Sequence, residues 1–365
     1  MAQLKIDIKK IQENIIYLGN YFKEKEIKWS LITKVFSGDR EFLHKVLTPE
    51  VIQSIDSIGD SRLTSLRNLR AINPEMQTIY IKPPAVAFAE DIIKYADIST
   101  NTSFETISAL NSEARKQGKI HKIVIMIEMG ELREGVLGDD ILTFYESVCN
   151  LSNIEVLGIG SNLGCMYGIV PTYDKLMQLV LYKELISAKF HVDLKIISGG
   201  SSITLPLLDK GEIPASINHF RVGEAAFFGV SPLDNAQFKN LHTDAFVFTA
   251  NILELEEKNI VPDGEISDAN IGHTVPVNKK DKNKTSNKMI LDFGLLDVDQ
   301  KDLKTMDPHL SFVGITSDMI VVDVCDNTTE NGQPKYTPGE SVPLIPNYMA
   351  VARLLNSKFI DKVFI

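Results

Sequence analysis

Over the first 235 residues, short apolar runs alternate with longer segments whose apolar positions recur three and four residues apart. The runs occupy residues 29–33, 51–55, 78–81, 96–99, 123–127, 156–159, 194–197 and 217–220. Their length and content of β-branched residues are those of buried strands. Between them, residues 103–117 place Phe104, Ile107, Leu110 and Ala114 on one helical face. Residues 173–189 do the same with Leu176, Leu179, Val180 and Ile186. Eight strands alternating with helices predict an α/β fold, a (β/α)8 TIM barrel. A doubly wound open sheet shares the alternation and is the competing architecture. After Pro232 the pattern changes. Residues 244–255, 288–293, 310–315, 319–324 and 341–345 read as strands separated by Gly, Pro, Asn and Asp, and residues 347–355 as a helix. The expected organisation is a barrel over 1–235 followed by a smaller, mainly β domain over 236–365. The lysine-rich stretch 278–288 reads as a solvated loop.

Composition narrows the function classes. The 365 residues are 44% hydrophobic and 24% charged, as in ordinary soluble globular proteins. A net charge of −10 argues against a nucleic-acid partner while leaving room for a local basic pocket. Cys149, Cys165 and Cys325 show no metal-ligand spacing, so no metal is expected, and they read as reduced thiols of a cytoplasmic protein. No apolar run approaches 18 residues and the N-terminus lacks a signal-like core, so no membrane partner is expected.

The chemistry gathers at run ends. Residues 194–197 end in Ser198-Gly199-Gly200-Ser201-Ser202, and residues 217–220 end in Arg221-Val222-Gly223. Paired glycines permit positive φ and let N–H groups approach an anion, and serine hydroxyls add donors. A plain turn uses the same residues. In a barrel these segments follow strands seven and eight, where phosphate is commonly held. Lys34 ends the first run. Alone it reads as a solvated ion pair; across a barrel mouth from a phosphate cradle it supplies the amine that pyridoxal 5′-phosphate requires. Arg221 then has a place at the pyridine nitrogen, which a permanent cation would keep unprotonated. A salt bridge is its other reading. Arg133 lies between glycines in a charged loop, residues 128–135, and Asn162 follows the sixth run. The histidines, His44, His121, His219 and His242 among them, form no metal or nucleophile–base arrangement and read as structural or exposed.

In this order, Lys34, Glu131-Leu132-Arg133-Glu134-Gly135, Ser198-Gly199-Gly200-Ser201-Ser202 and Asn218-His219-Phe220-Arg221-Val222-Gly223-Glu224 resemble the alanine racemase superfamily of pyridoxal-phosphate enzymes, and within it the ornithine racemase-like branch. The resemblance extends to Tyr95-Ala96-Asp97-Ile98-Ser99, Ser317-Asp318 and Asn347-Tyr348. It implies that Lys34 carries the cofactor covalently and that Arg221 faces its ring nitrogen. It also implies that Ser201, Ser202, the backbone at Gly223 and Glu224, and Tyr348 hold the phosphate. Arg133 would meet the phenolic oxygen or the substrate carboxylate, and Asn162 would lie beside the ring. A head-to-tail homodimer is implied, each β domain completing its partner's barrel mouth. The family's second catalytic base, a tyrosine, is missing from Gly294-Leu295-Leu296-Asp297. Asp318, Asp297 and Tyr348 are the substitutes, in that order. The expected activity is racemisation of ornithine or another basic amino acid through α-proton abstraction. An alanine or broad-specificity racemase, a decarboxylase and a non-catalytic cofactor-binding protein are the alternatives.

Overall fold

The computed structural model describes all residues except Asp268 and Asn270. By internal contact the chain forms two units, Lys9–Thr243 and Met1–Ile8 with Asp244–Ile365.

The first unit is built on parallel strands: β2 (Lys28–Ile32), β3 (Ser57–Asp60), β4 (Thr78–Tyr80), β5 (Ile98–Asn101), β6 (His121–Met126), β7 (Ile154–Gly160), β8 (Ile196–Ser198), β9 (Gly200–Ser201) and β10 (His219–Val222). They follow the order β8-β7-β6-β5-β4-β3-β2-β10-β9. Only Gly199 separates β8 from β9, so the two are one pass of chain. Its first half pairs with β7 and its second with β10. Counted so, eight parallel strands close a ring, the barrel that the alternation predicts.

Residues 51–55 are not a strand. Pro49–Gln53 is a helix, opened by Thr48, whose hydroxyl accepts from Val51 N at 3.3 Å, with proline in its first turn. The second barrel strand follows as Ser-Ile-Gly-Asp, entirely buried. Parallel register sets Ser30, Ser57 and Arg221 abreast inside the ring. On the other side of the interior lies an apolar cluster of Ile79, Ile98, Val124, Met126 and Leu157. A register shift in β7 turns Leu157 into that cluster. Outside, Phe104–Lys116 and Tyr173–Phe190 are helices capped by Ser103 and Thr172. The first helix, Ile8–Glu24, buries Phe22, which stacks on Trp29 at 5.5 Å.

The second unit is antiparallel except where β1 (Gln3–Ile6) meets the last strand. Its other strands are β11 (Phe246–Asn259), β12 (His273–Thr274), β13 (Thr285–Leu291), β14 (Leu303–Thr305), β15 (Ser311–Ile315), β16 (Ile320–Cys325), β17 (Ser341–Pro346) and β18 (Asp361–Phe364). The sheet runs β12-β15-β16-β13-β11-β1-β18, with β17 on β11 and β14 on β17. Strand β1, within the 1–235 span at the sequence level, pairs with β11 and β18 and so belongs to this unit. Helix Tyr348–Leu354 is capped by Asn347, whose Oδ1 accepts from Ala350 N at 2.9 Å. No helix among the described residues is long and apolar enough to cross a membrane.

Candidate functional site

Lys34 opens a short 3-10 turn, Lys34–Phe36, directly after β2, and is exposed. Its backbone is fixed from both sides. Thr33, buried, donates to Asp60 Oδ2 at 3.1 Å and to Gly59 O at 3.3 Å. Phe36, also buried, meets Phe227 edge-on at 4.6 Å. Phe227 lies in helix Glu224–Phe228, which follows the neighbouring strand β10. Burial pushes the Glu224 carboxyl up, while the charge of Lys34 pulls it down.

Arg221 sits on β10, buried, inside the ring. Its Nη1 donates to Ser198 O at 3.0 Å and to Ser198 Oγ; its Nη2 donates to Ser161 O at 2.6 Å and to Asn162 Oδ1 at 2.7 Å. All of these acceptors are neutral. Burial, opposed by Glu134 and reinforced by Arg133, lowers the guanidinium to about 10, so it remains a cation at neutral pH.

Asn162 connects the arginines. Its Nδ2 donates to Glu134 Oε1, and Arg133 donates Nη2 to the same oxygen at 2.6 Å and Nε to Oε2. Arg133 Nη1 also reaches Cys165 Sγ. The hydrogen bond to Glu134 is the chief reason that the Arg133 pKa lies above its ordinary value. The loop carrying Arg133 is held in turn. Glu128 accepts from Gly130 N and from Arg133 N, the latter at 3.1 Å. Glu131, only 2% exposed, accepts from Met166 N at 2.6 Å, Tyr167 N at 2.9 Å and Ile169 N at 2.8 Å. Burial alone would raise Glu131, but these N–H groups hold it at about 2.

Ser201 lies beside Arg221 in the β9–β10 register. Ser202 Oγ accepts from Ala225 N at 3.1 Å, joining the glycine-serine loop to the helix after Gly223. The residue that opens that helix, Gly223, has no side chain to cap it, so Ser202 serves its second N–H from across the loop. Gly199 and Gly200 do not adopt positive φ, contrary to the sequence reading. Close packing requires the second: a Cβ at Gly200 would stand 2.2 Å from the Phe220 ring, whereas one at Gly199 would first meet the tip of Ile217, at 2.9 Å. At Gly223 it would meet Ile32 O at 2.8 Å.

Asp297, Asp318 and Tyr348 belong to the second unit. Asp297 is engaged locally, accepting from Ser357 Oγ at 2.7 Å and Gly294 N at 3.4 Å. Asp318 is exposed at the tip of the β15–β16 hairpin, accepting from Ser317 Oγ at 3.0 Å. Leu295 N and Leu296 N bind Thr316 O and Ser317 O, both at 2.9 Å, so the loops bearing the two aspartates lie against each other. Tyr348 is half-buried in the first turn of its helix. The structure thus joins Arg133, Asn162, Arg221 and Ser201 in the barrel and keeps the three second-base candidates in the β unit. Sequence reasoning missed Glu134 and Ser198 as members of the arginine network. Glu134, a carboxylate adjoining Arg133 in a loop already singled out, was the legible one.

The chain matches the family described as alanine racemase, N-terminal domain, over residues 6–232. Ornithine racemase of Acetoanaerobium sticklandii is 31% identical over 361 residues, 99% of this chain and 98% of that one. Lysine racemase of Thermotoga maritima is 27% identical over 362 residues, with the same coverage. Among solved structures, alanine racemase from Bartonella henselae with covalently bound pyridoxal phosphate superposes with a TM-score of 0.71 at 16% identity, covering 100% of this chain and 99% of that one. The barrel, the second β unit and this full-length similarity agree: the chain belongs to the alanine racemase family.

Proposed function

We propose that the protein is a pyridoxal-phosphate-dependent racemase of a basic amino acid, with ornithine the favoured substrate. The observation that carries the reading is Arg221, a buried cation with only neutral acceptors, one strand away from the exposed Lys34. The residues fit the cofactor. Arg221 can face a ring nitrogen without a carboxylate to protonate it. The hydroxyls of Ser201 and Ser202 and the backbone N–H groups at Gly223 and Glu224, where the helix opens on a glycine, suit a phosphate.

Bound pyridoxal phosphate supplies an electron-withdrawing ring that acidifies the substrate α-hydrogen. Lys34 would hold the cofactor through Nζ, and its amine is the group placed to take the substrate α-proton on one face. Arg133 binds the cofactor's phenolic oxygen or the substrate carboxylate, kept in place by Glu134. Asn162 would lie beside the ring, and Tyr348 would contribute to the phosphate site. Asp318 is the favoured group for the opposite face, since both oxygens of Asp297 already accept. Glu131 is unavailable to pair with a distal amine, because its oxygens are filled by backbone N–H groups. Similarity to ornithine and lysine racemases supports the basic substrate. A homodimer, with each β unit completing its partner's barrel mouth, is part of the proposal. Exposed Leu132, Leu137, Met166 and Tyr167 on the mouth loops, and Leu296 and Met319 on the β unit, support it. Three free cysteines are in keeping with a cytoplasmic setting.

The test is chiral chromatography of ornithine, lysine, arginine, alanine and serine incubated with the enzyme in D2O. Inversion of a basic amino acid with α-deuterium uptake is expected, and Lys34→Ala should abolish it together with the visible cofactor band. Inactivity on all basic amino acids removes the substrate assignment. Carbon dioxide release points to a decarboxylase, and neither reaction to a carrier. A sedimentation mass near the 40.7 kDa of one chain removes the dimer.

A further inference from the structure

Inside the barrel, behind Arg221, runs a line of hydrogen bonds that the proposed reaction leaves unused. Arg221 Nη1 donates to Ser198 Oγ, which lies 2.7 Å from His219 Nδ1. His219 Nε2 lies 3.0 Å from Ser30 Oγ, and Ser30 Oγ lies 2.6 Å from Ser57 Oγ. All five residues are buried and come from four different strands.

Satisfaction of donors gives the line a direction. Arginine can only donate, so Ser198 Oγ must accept from it. The Ser198 hydroxyl proton then needs its own acceptor, and His219 Nδ1 is the one within reach. An N–H at Nδ1 would leave that buried hydroxyl proton unbonded. His219 therefore carries its proton on Nε2 and donates it to Ser30, whose hydroxyl is left to donate to Ser57. Burial, with Arg221 and Lys28 adding to it, pushes the imidazole down to about 3, so the ring is neutral at working pH.

We propose that His219 is a positioning residue: by taking the Ser198 proton, it makes Ser198 a pure acceptor and fixes the guanidinium of Arg221 without adding a counter-charge. The sequence reading left His219 as structural or exposed, with no part in the site. The inference rests on the proposed role of Arg221 toward the cofactor, but its first test does not.

Nitrogen-15 NMR of histidine-labelled full-length protein reads the tautomer directly, with His219→Gln assigning the signal. An Nε2–H imidazole that does not titrate between about pH 5 and 8 is expected. An Nδ1–H tautomer, or a midpoint near the ordinary value, overturns the relay whether or not cofactor is bound.

The second test uses holoenzyme. Ser198→Ala and His219→Leu should each lower kcat by about 10- to 100-fold, as loss of orienting partners does at other sites, with KM changed less than about threefold. The pH midpoint of the bound-cofactor band should shift, and Ser198→Thr, which keeps the hydroxyl, should restore both. His121→Gln is the control. That histidine is also buried and bonded to a serine, Ser99, but lies outside the site. It should cost stability without moving the band. Ser198→Ala removes one atom and keeps the test open if His219→Leu fails to fold. An unchanged kcat and band in Ser198→Ala overturn the positioning role. Loss of cofactor binding in the wild-type protein would instead remove the function proposed above, leaving the tautomer result to decide the relay.

Discussion

Glu131 joins two distant pieces of chain, because its carboxylate accepts from backbone N–H groups 35 to 38 residues further on. Those N–H groups would otherwise have to find partners in a loop that also carries Asn162 and Cys165. Glu131→Gln should lower stability at neutral pH by about 1–3 kcal/mol, the usual scale for hydrogen bonds to a buried charge. Urea unfolding measures this, and an unchanged midpoint would refute it. The pH dependence has a definite sign. The folded carboxyl titrates at about 2, below its ordinary value of 4.5. The contribution is therefore complete above pH ~4.5 and disappears as pH falls toward ~2, where wild type and variant should converge. His219 differs in kind, since its folded form is already neutral and its role is geometric.

At the scale of elements, glycines decide where strands can approach. A Cβ at Gly158 in β7 would stand 1.8 Å from the carbonyl oxygen of Ile196 in β8. Backbone cannot yield as a side-chain tip does, so Gly158→Ala should cost about 3 kcal/mol or more, or prevent folding. A denaturation midpoint within experimental error of wild type would sink this expectation. The same elements show what the sequence could reveal. Strands β4, β6 and β7 were legible because their apolar side chains fill the ring. Strand β3 was not, since Ser57 and Asp60 are buried polar groups whose partners, Ser30 and Thr33, lie 27 residues away. The apolar letters just before it belong to a helix that Thr48 and Pro49 nucleate. Lys34, Arg221 and the glycine-serine loop stood out because strand ends carry chemistry in this architecture. Glu134 as a bridge and His219 as a relay depend on contacts across the ring, and no local pattern encodes them. Strand β1 escaped notice for the same reason, its parallel partner being the last strand of the chain.

At the scale of the whole molecule, the two chain ends lie in one sheet, and the barrel closes at a place of its own. There, one pass of chain changes neighbours at Gly199, and only Gly200 and Ser201 pair with β10. Just before the change, Asn218 joins the two passes through backbone and side chain together, its N–H donating to Ile197 O at 3.3 Å and its side chain accepting from Ile197 N at 2.8 Å and donating to Lys195 O at 2.8 Å. The proposed phosphate cradle spans this seam, with Ser201 and Ser202 on one side and Gly223 and Glu224 on the other. A ligand held there would act as a rivet across it. Amides at 200–202 and 219–223 should exchange at least about tenfold more slowly once cofactor is added, a gain of ~1.4 kcal/mol in local opening. Those of β6 should change little, and equal protection with and without cofactor would count against the idea. Cofactor capture at the closing pair of strands would then also tighten the barrel, so that binding and local stability report on one another.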